Sequence, residues 1–191
     1  MQENRRVRMT KRCMKDALLE LLEKAPLNKI SVTDVCNAAD VNRSTFYAYY
    51  NDIDELLSEI ETEALEQIPI NVNPEDIDYE GNYLRKLEIF FNYIQENEKI
   101  YRILMCQSGE RDFNKKLVAF ILDHYNNSSI VSDKLLAKYG CIYCIGGVIG
   151  IVKEWIQDGF PISYKQFAKL VLQMSIQANE IEGLNWSNTN A

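Results

Sequence analysis

One short stretch in the first third of the chain combines the side-chain types that read nucleic acid. Arg43 can present a two-pronged donor to guanine or a positive charge to phosphate. Ser44 and Thr45 can hydrogen-bond to base edges or to phosphates. The hydroxyls of Tyr47 and Tyr49 extend far enough to reach phosphates, and the alternative interpretation of Tyr49 is a packed aromatic ring. These residues predict a DNA-reading surface.

The residues just before this stretch predict the helix and turn that would position it. Ser31 can cap a helix through its hydroxyl, and Asp34 stands three residues later, where its carboxylate can return to the N–H of Ser31. Asp40 then falls in a tight turn, and Asn42 is suited to cap the next helix. Two short helices with a polar start to the second are typical of a helix-turn-helix, whose second helix enters the major groove. Thr33 is a further candidate for a phosphate contact.

A supporting helix is predicted over residues 10–24, because apolar side chains recur there at intervals of three and four. Its buried stripe consists of Met14, Ala17, Leu18, Leu21 and Leu22. Residues 1–9 are expected to form a mobile arm that carries Arg5 and Arg6. The arm is interpreted either as a solvated terminus or as a contact to phosphates and the minor groove, as homeodomain arms make.

Several spaced positions of this region resemble the DNA-binding domain of TetR-family transcriptional regulators. The matching residues are Ile30-Ser31-Val32-Thr33, Val35, Ala38-Ala39, Val41-Asn42, Ser44-Thr45-Phe46-Tyr47 and Tyr49-Tyr50. The resemblance covers residues 10–60, and the rest of the chain is similar to the family only in helical layout. It implies dimeric, all-helical subunits, with repression as the usual sign of regulation. Two positions depart from the family pattern: Asp40 replaces a turn glycine, and Ile53 replaces a lysine that meets phosphate.

The charge of the chain is unevenly distributed. The 191 residues carry a net charge of −7, but residues 1–50 have a balance of +3 and the remainder a balance of −10. The basic part coincides with the predicted DNA-reading motif, whereas the acidic part is expected to avoid DNA.

The composition argues against an enzyme. The chain has one histidine, and we find no nucleophile–base spacing, no phosphate-binding loop and no metal-ligand cluster. We therefore expect neither a cofactor nor a metal. Five cysteines without a secreted disulfide rhythm, and no signal peptide, favour a reduced, cytoplasmic protein. The longest apolar run, over residues 139–152, spans 14 residues, so no membrane helix is expected.

The second part of the chain predicts a helical domain. Residues 69–79 lack a helical period and predict a linker, which divides the chain into an N-terminal domain, 1–68, and a C-terminal domain, 69–191. Aromatic side chains are dense in the C-terminal domain and predict either an ordinary core or a pocket for a small apolar or aromatic effector. The candidate pocket residues are Phe90, Phe91, Tyr101, Phe120 and Tyr125.

The last two predicted helices suit a dimer interface. The first, over residues 132–158, is apolar almost all round and has internal glycines, which cost about 1 kcal/mol each relative to alanine and favour close approach of another helix. With a final helix beginning after Ser163, it could form a symmetric four-helix interface. The candidate interface residues are Gly146, Gly147, Gly150, Trp155, Leu170 and Met174. Cys141 and Cys144 form a Cys-x-x-Cys that is interpreted as packing, because its setting would not lower a thiol pKa.

The sequence therefore predicts an all-α protein with an N-terminal three-helix, helix-turn-helix domain and a C-terminal helical bundle for dimerisation and ligand binding. Its predicted function is a dimeric transcriptional regulator, with repression as the expected sign, that binds a near-palindromic operator in double-stranded DNA and is released by an effector. The alternative is a TetR-like scaffold that binds a protein partner as a coregulator.

Overall fold

A computed structural model describes residues 5–69, 82–107, 113–126 and 134–179, and these residues form helices and turns without a strand. The helices are α1 Arg5–Leu22, α2 Val32–Ala39, α3 Arg43–Tyr47, α4 Ile53–Glu66, α5 Asn82–Glu96, α6 Glu98–Arg102, α7 Phe113–Asn126, α8 Lys134–Gln157 and α9 Tyr164–Asn179. A short 3-10 helix, Leu27–Lys29, precedes α2, and a π-helical segment, Ile103–Gln107, follows α6. The predicted all-α fold is confirmed.

The chain forms two compact units. The N-terminal unit comprises residues 1–68 and 98–117, and the C-terminal unit comprises residues 69–97 and 118–191. Residues 98–117, which the sequence analysis assigned to the C-terminal domain, thus cluster with the helix-turn-helix region. Two side-chain bonds join this segment to α4: the Tyr101 hydroxyl donates to the Ala64 carbonyl at 2.9 Å, and the Lys116 ammonium donates to the Glu61 carboxylate.

Helix α1 is longer at its N-terminus than the sequence analysis predicted. Residues 5–9 continue the helix, and the Thr10 hydroxyl donates to the Arg6 carbonyl at 3.0 Å. The expected mobile arm is therefore wrong for residues 5–9. They contain neither glycine nor proline, and arginine and methionine are good helix formers, so nothing local stops the helix. Of the predicted stripe, Met14, Ala17, Leu18 and Leu22 are buried and Leu21 is half-buried.

Helix α4 begins with side-chain caps on its backbone. The Asp52 carboxylate accepts from the Glu55 N–H at 2.8 Å, and the Glu55 carboxylate accepts from the Asn51 N–H at 2.7 Å. These bonds satisfy backbone donors that the start of a helix leaves free. The buried stripe of α4 consists of Leu56, Leu57, Ile60 and Ala64.

The C-terminal unit is built around an aromatic cluster. Phe91 of α5 packs edge-on against Phe167 of α9, with ring centroids 4.8 Å apart, and Trp155 of α8 stacks on Phe167 at 4.3 Å. The Trp155 indole N–H donates to the Ile162 carbonyl at 2.9 Å. Helix α9 begins with a reciprocal cap in which Ser163 and Gln166 bond to each other's side chain and backbone, as the sequence predicted for Ser163. Among the described residues, no helix has both the length and the apolar character needed to cross a bilayer.

Candidate nucleic-acid interface

The first helix of the motif, α2, starts with the predicted capping box. The Ser31 hydroxyl accepts from the Asp34 N–H at 3.2 Å, and the Asp34 carboxylate accepts from the Ser31 N–H at 2.8 Å. The hydrogen bonds from the Ser31 hydroxyl and N–H lower the pKa of Asp34. Both residues are exposed, so the cap fixes the start of α2 without burying polar groups. Thr33, on the first turn of α2, is also exposed.

The turn between α2 and α3 depends on a left-handed residue. Asp40 has φ 53° and ψ 47°, and the following N–H, of Val41, donates to the Cys36 carbonyl at 3.0 Å. Aspartate tolerates this region better than most residues but less well than glycine. The turn predicted around Asp40 is therefore confirmed. It places an exposed carboxylate three residues before Arg43.

The second helix of the motif, α3, is held by its buried side. Phe46 is fully buried and Tyr50 is 2% exposed, with their ring centroids 5.7 Å apart. The expected side-chain cap from Asn42 is wrong, because Asn42 makes no cap bond with its side chain and only its backbone carbonyl accepts from the Phe46 N–H. Aromatic packing at the C-terminal end of α3, rather than a side-chain cap at its start, therefore holds this helix on its support.

The candidate DNA contacts lie on the other side of α3. Arg43 and Ser44 are exposed, Tyr47 is 50% exposed, and Thr45 and Tyr49 are half-buried. The Arg43 guanidinium donates from Nη2 to the Tyr47 hydroxyl at 3.5 Å. The structure thus brings Arg43 and Tyr47 together on one exposed face.

Arg5 and Arg6 lie on the first turn of α1, and both side chains are exposed. A helix holds their backbone in one conformation, unlike the arm that the sequence predicted. Their contact with DNA stays a prediction.

Four charged residues that the sequence analysis did not single out join α1 to α4. Lys15 lies 2.7 Å from Glu59 and 2.6 Å from Glu63, and Lys11 lies 3.3 Å from Glu59. Burial would lower the pKa of Lys15, but its bonds to Glu59 and Glu63 outweigh this effect and raise it. Burial likewise opposes ionisation of Glu59, yet Lys15 and Lys11 lower its pKa overall. The sequence did contain a signal for this cluster. Two lysines on α1 and two glutamates on α4 are each four residues apart, beside the apolar stripe of their helix.

The candidate pocket residues divide between the two units. Phe91 is fully buried in the C-terminal unit, where Phe90 and Phe120 are half-buried. Tyr101 belongs to the N-terminal unit, is 1% exposed and bonds to Ala64, so its side chain already has a structural partner. The side chain of Tyr125 lies outside the described part of the structure, as does that of His124.

The candidate interface residues also divide. Gly146, Gly147 and Gly150 are exposed, and a Cβ atom added at any of them would meet no atom within 4 Å. Leu170 and Met174 of α9 are 37% and 48% exposed. Trp155, by contrast, is 3% exposed, because Phe91, Phe160 and Phe167 surround its ring, which leaves little surface for a second chain.

Two exposed tyrosines extend this face of α8. Tyr139 is 61% exposed and Tyr143 is 73% exposed. Because a helix turns 100° per residue, they share a face with Gly146 and Gly150. The sequence analysis missed these tyrosines, although they and the glycines follow one another at intervals of three and four residues.

The Cys-x-x-Cys shows no sign of redox or metal chemistry where it is described. Burial raises the pKa of the Cys144 thiol, which disfavours the reactive thiolate. The side chain of Cys141 is outside the described residues. Within the described ranges, no group of three metal-binding side chains lies together.

The fold and this site define a class of protein. Two short helices, a left-handed turn and an exposed polar face on the second helix form a helix-turn-helix, which binds DNA. Residues 16–60 match the family model for bacterial regulatory proteins of the tetR family, and residues 81–177, about half of the chain, match the C-terminal region of such transcriptional regulators. The chain belongs to the TetR family and is a DNA-binding transcriptional regulator rather than an enzyme.

Similar proteins and solved structures agree with this assignment. The chain is 27% identical over 172 residues, 86% of this chain and 89% of the other, to the dhaKLM operon transcriptional activator DhaS of Lactococcus lactis. A TetR regulator from Streptococcus agalactiae has the same fold, with a TM-score of 0.67, 20% identity, and coverage of 90% of this chain and 96% of the other. A solved structure of a dihydroxyacetone kinase operon activator, DhaS, gives a TM-score of 0.58 at 23% identity over 88% of this chain and 94% of the other.

Proposed function

We propose that this protein is a homodimeric regulator that binds a near-palindromic operator, with one half-site for each subunit. The observation that carries the proposal is the division of α3 into two sides. Arg43, Ser44 and Tyr47 are exposed, whereas Phe46 is fully buried and fixes the helix to its support. A recognition helix needs this division, because its outer side must enter the major groove while its inner side holds it still.

The proposed contacts fall into two groups. Arg43 reads guanine through its two-pronged guanidinium, and Ser44 and Thr45 contact neighbouring base edges. The hydroxyls of Tyr47 and Tyr49 donate to phosphates and set the register of the protein on the duplex.

Further phosphate contacts are proposed from the other two helices of the motif. Thr33 is exposed on the first turn of α2, and Arg5 and Arg6 are exposed on the first turn of α1. Arg5, Arg6 and Arg43 are three of the nine basic residues in residues 1–50. Because such contacts release counterions, binding is expected to weaken as salt rises.

The proposed dimer uses the exposed side of α8 and α9. Gly146, Gly147 and Gly150 leave room for a partner helix, and Leu170 and Met174 expose apolar surface on α9. A two-fold dimer would bury these groups in a four-helix interface. Dimerisation and ligand binding are thus proposed for residues 69–191, and DNA binding for residues 1–68. The proposed location of the protein is the cytoplasm.

A small apolar or aromatic effector is proposed as the ligand of the C-terminal unit. Phe90 and Phe120 are the candidate pocket residues that keep some exposure, and they would contact it. The effector could change DNA occupancy only by its difference in affinity between the two states of the dimer.

The proposed sign of regulation is repression, which follows when an occupied operator blocks the polymerase. Activation is the second candidate, favoured by the printed name of the Lactococcus lactis relative, an operon transcriptional activator. A reporter gene behind the DNA segment that the protein binds separates them. Its expression falls with the protein under repression and rises under activation.

The test of DNA binding uses the purified protein and the DNA that flanks its own gene, measured across a salt series. We expect one segment to bind more tightly than random DNA, with affinity that falls as salt rises. Arg43→Ala should abolish the preference. Arg85→Ala is the matched control, because it removes an exposed arginine of α5, far from the motif in sequence, and should change nothing.

Equal binding of every segment at low salt would contradict operator recognition by the protein alone. Binding to a protein partner, the coregulator alternative, would then be the function to test.

A further inference from the structure

The exposed end of α3 carries a side-chain pair whose geometry is specific. The Nη2 atom of Arg43 donates to the Tyr47 hydroxyl oxygen at 3.5 Å, and the Arg43 Cζ atom lies 5.9 Å from the centroid of the Tyr47 ring. The two residues are four apart on one helix, so their side chains lie one above the other. A hydrogen bond and a cation–π contact thus act on the same guanidinium.

The Tyr47 ring is itself in contact with the buried ring of Phe46. The Phe46 ring lies edge-on to the Tyr47 ring, with centroids 5.6 Å apart and planes at 86°. Phe46 is fully buried and packs against Tyr50, and the Lys11 ammonium lies 5.5 Å from the Tyr50 ring centroid. A continuous set of ring contacts therefore runs from the core of the motif to the exposed guanidinium.

This support matters because a free arginine side chain has many rotamers. Two-pronged recognition of guanine requires the guanidinium plane to lie in the plane of the base. A guanidinium already restricted by a ring and a hydroxyl loses less freedom when it meets the base. The contact to Tyr47 uses one of its five N–H donors and leaves the others for O6 and N7.

We propose that Tyr47 is a positioning residue, which holds the Arg43 guanidinium in the orientation that reads a guanine in the major groove. Its oxygen accepts from Arg43, so its own O–H remains able to donate to a phosphate. Tyr47 therefore joins base reading to backbone contact in one side chain. This inference rests on the proposed DNA binding through α3.

The inference differs in its consequences from a simple phosphate contact. A tyrosine that only touches phosphate would strengthen binding to every sequence equally. A tyrosine that orients Arg43 would strengthen binding to the preferred base pair in particular, and it would do so only while Arg43 is present.

The experiment is a double-mutant cycle on DNA discrimination. Wild type, Tyr47→Phe, Arg43→Ala and the double variant are titrated by fluorescence anisotropy, at one salt concentration. The DNAs are the preferred segment and its copies with each G·C pair replaced by A·T. Tyr47→Phe keeps the ring and removes the hydroxyl, so the fold is retained, as circular dichroism would verify. Tyr47→Leu removes the ring as well.

We expect Tyr47→Phe, which removes the hydrogen bond, to reduce discrimination at the guanine read by Arg43 by about two- to five-fold. Tyr47→Leu, which also removes the cation–π contact, should reduce it further. In the Arg43→Ala background, Tyr47→Phe should not alter discrimination. Tyr49→Phe is the comparison variant, since it also removes a hydroxyl near α3 and should weaken binding to all the DNAs by one common factor.

The opposite outcome is that Tyr47→Phe weakens binding to all the DNAs by the same factor, with or without Arg43. That result would overturn the inference and leave the proposed function intact. A wild-type protein that prefers no segment would remove the proposed function and this inference with it.

Discussion

The ammonium of Lys116, at the start of α7, lies 2.6 Å from a carboxylate oxygen of Glu61 on α4, and the Glu61 side chain is only 1% exposed. A carboxylate so far from water is stable in its charged form only beside a cation or several donors. This pair, with the Tyr101 bond to Ala64, ties residues 98–117 to the helix that follows the DNA-binding motif.

Replacing Lys116 by methionine should therefore destabilise the protein. The change removes the ammonium and leaves the carboxylate in its buried site. We expect the free energy of unfolding to fall by about 1–3 kcal/mol in urea titrations, since Lys116 itself is 48% exposed and partly screened. Lys24→Met, at an exposed lysine of the same unit, is the control and should change little.

A second variant tests the physical reason. Glu61→Leu together with Lys116→Met removes both charges, so most of the lost stability should return. A double variant as unstable as Lys116→Met alone would show that the pair is not the cause.

Lys15→Met should make the pH dependence of the ion cluster visible. Glu59 has a lowered pKa in the folded protein, so its contribution is present above the ordinary value of 4.5 and is lost as pH falls through the folded pKa. Lys15 has a raised pKa, so its contribution is present below 10.5 and is lost as pH rises through the folded pKa. We expect the free energy of unfolding of wild type to exceed that of the variant by about 1–2 kcal/mol near pH 7. Below pH 4.5 this difference should shrink.

The matched control for this variant is Arg12→Met, since the Arg12–Asp16 pair of α1 is exposed on both sides. Its effect should stay within about 0.5 kcal/mol. An unchanged difference between wild type and Lys15→Met down to pH 2 would contradict the assignment to Glu59.

Asp40→Gly should both stabilise the protein and tighten its binding to DNA. Glycine adopts the left-handed conformation of this turn without strain, and it removes an exposed carboxylate three residues before Arg43. Asp40→Ala separates the two effects, because it removes the charge but keeps a side chain at φ 53°. We expect a higher thermal midpoint for the glycine variant, a lower one for the alanine variant, and tighter binding to random DNA for both. Identical midpoints for the two variants would show that strain at Asp40 is negligible.

Met174→Arg should shift the protein from dimer to monomer in sedimentation experiments. The change places a charge in the proposed α8–α9 interface, where burial without a partner is costly. Ile89→Arg is a closely matched control, because Ile89 on α5 is likewise apolar and 48% exposed. Dissociation of both variants to the same extent, or of neither, would argue against the proposed interface.

Local signals in the sequence predicted much of the DNA-binding motif. The capping box of Ser31 and Asp34 and the turn at Asp40 are found as expected. Each depends on interactions within about four residues or on a periodic apolar stripe, and such information is present in a short window of sequence. The start of α1 was missed because residues 5–9 carry neither a cap nor an apolar stripe, although arginine and methionine favour a helix.

The sequence by itself determined the helical class, the motif and the polar face of α3, because caps, turn residues and apolar periodicity act over a few residues. Only the tertiary structure decided that residues 98–117 belong to the N-terminal unit, that Trp155 is a core residue, and that Tyr139 and Tyr143 are exposed. These outcomes depend on which helices, distant in sequence, exclude water from one another. The spacing of apolar residues in the sequence shows which face of a helix is apolar. Which other helix covers that face depends on packing over the whole unit.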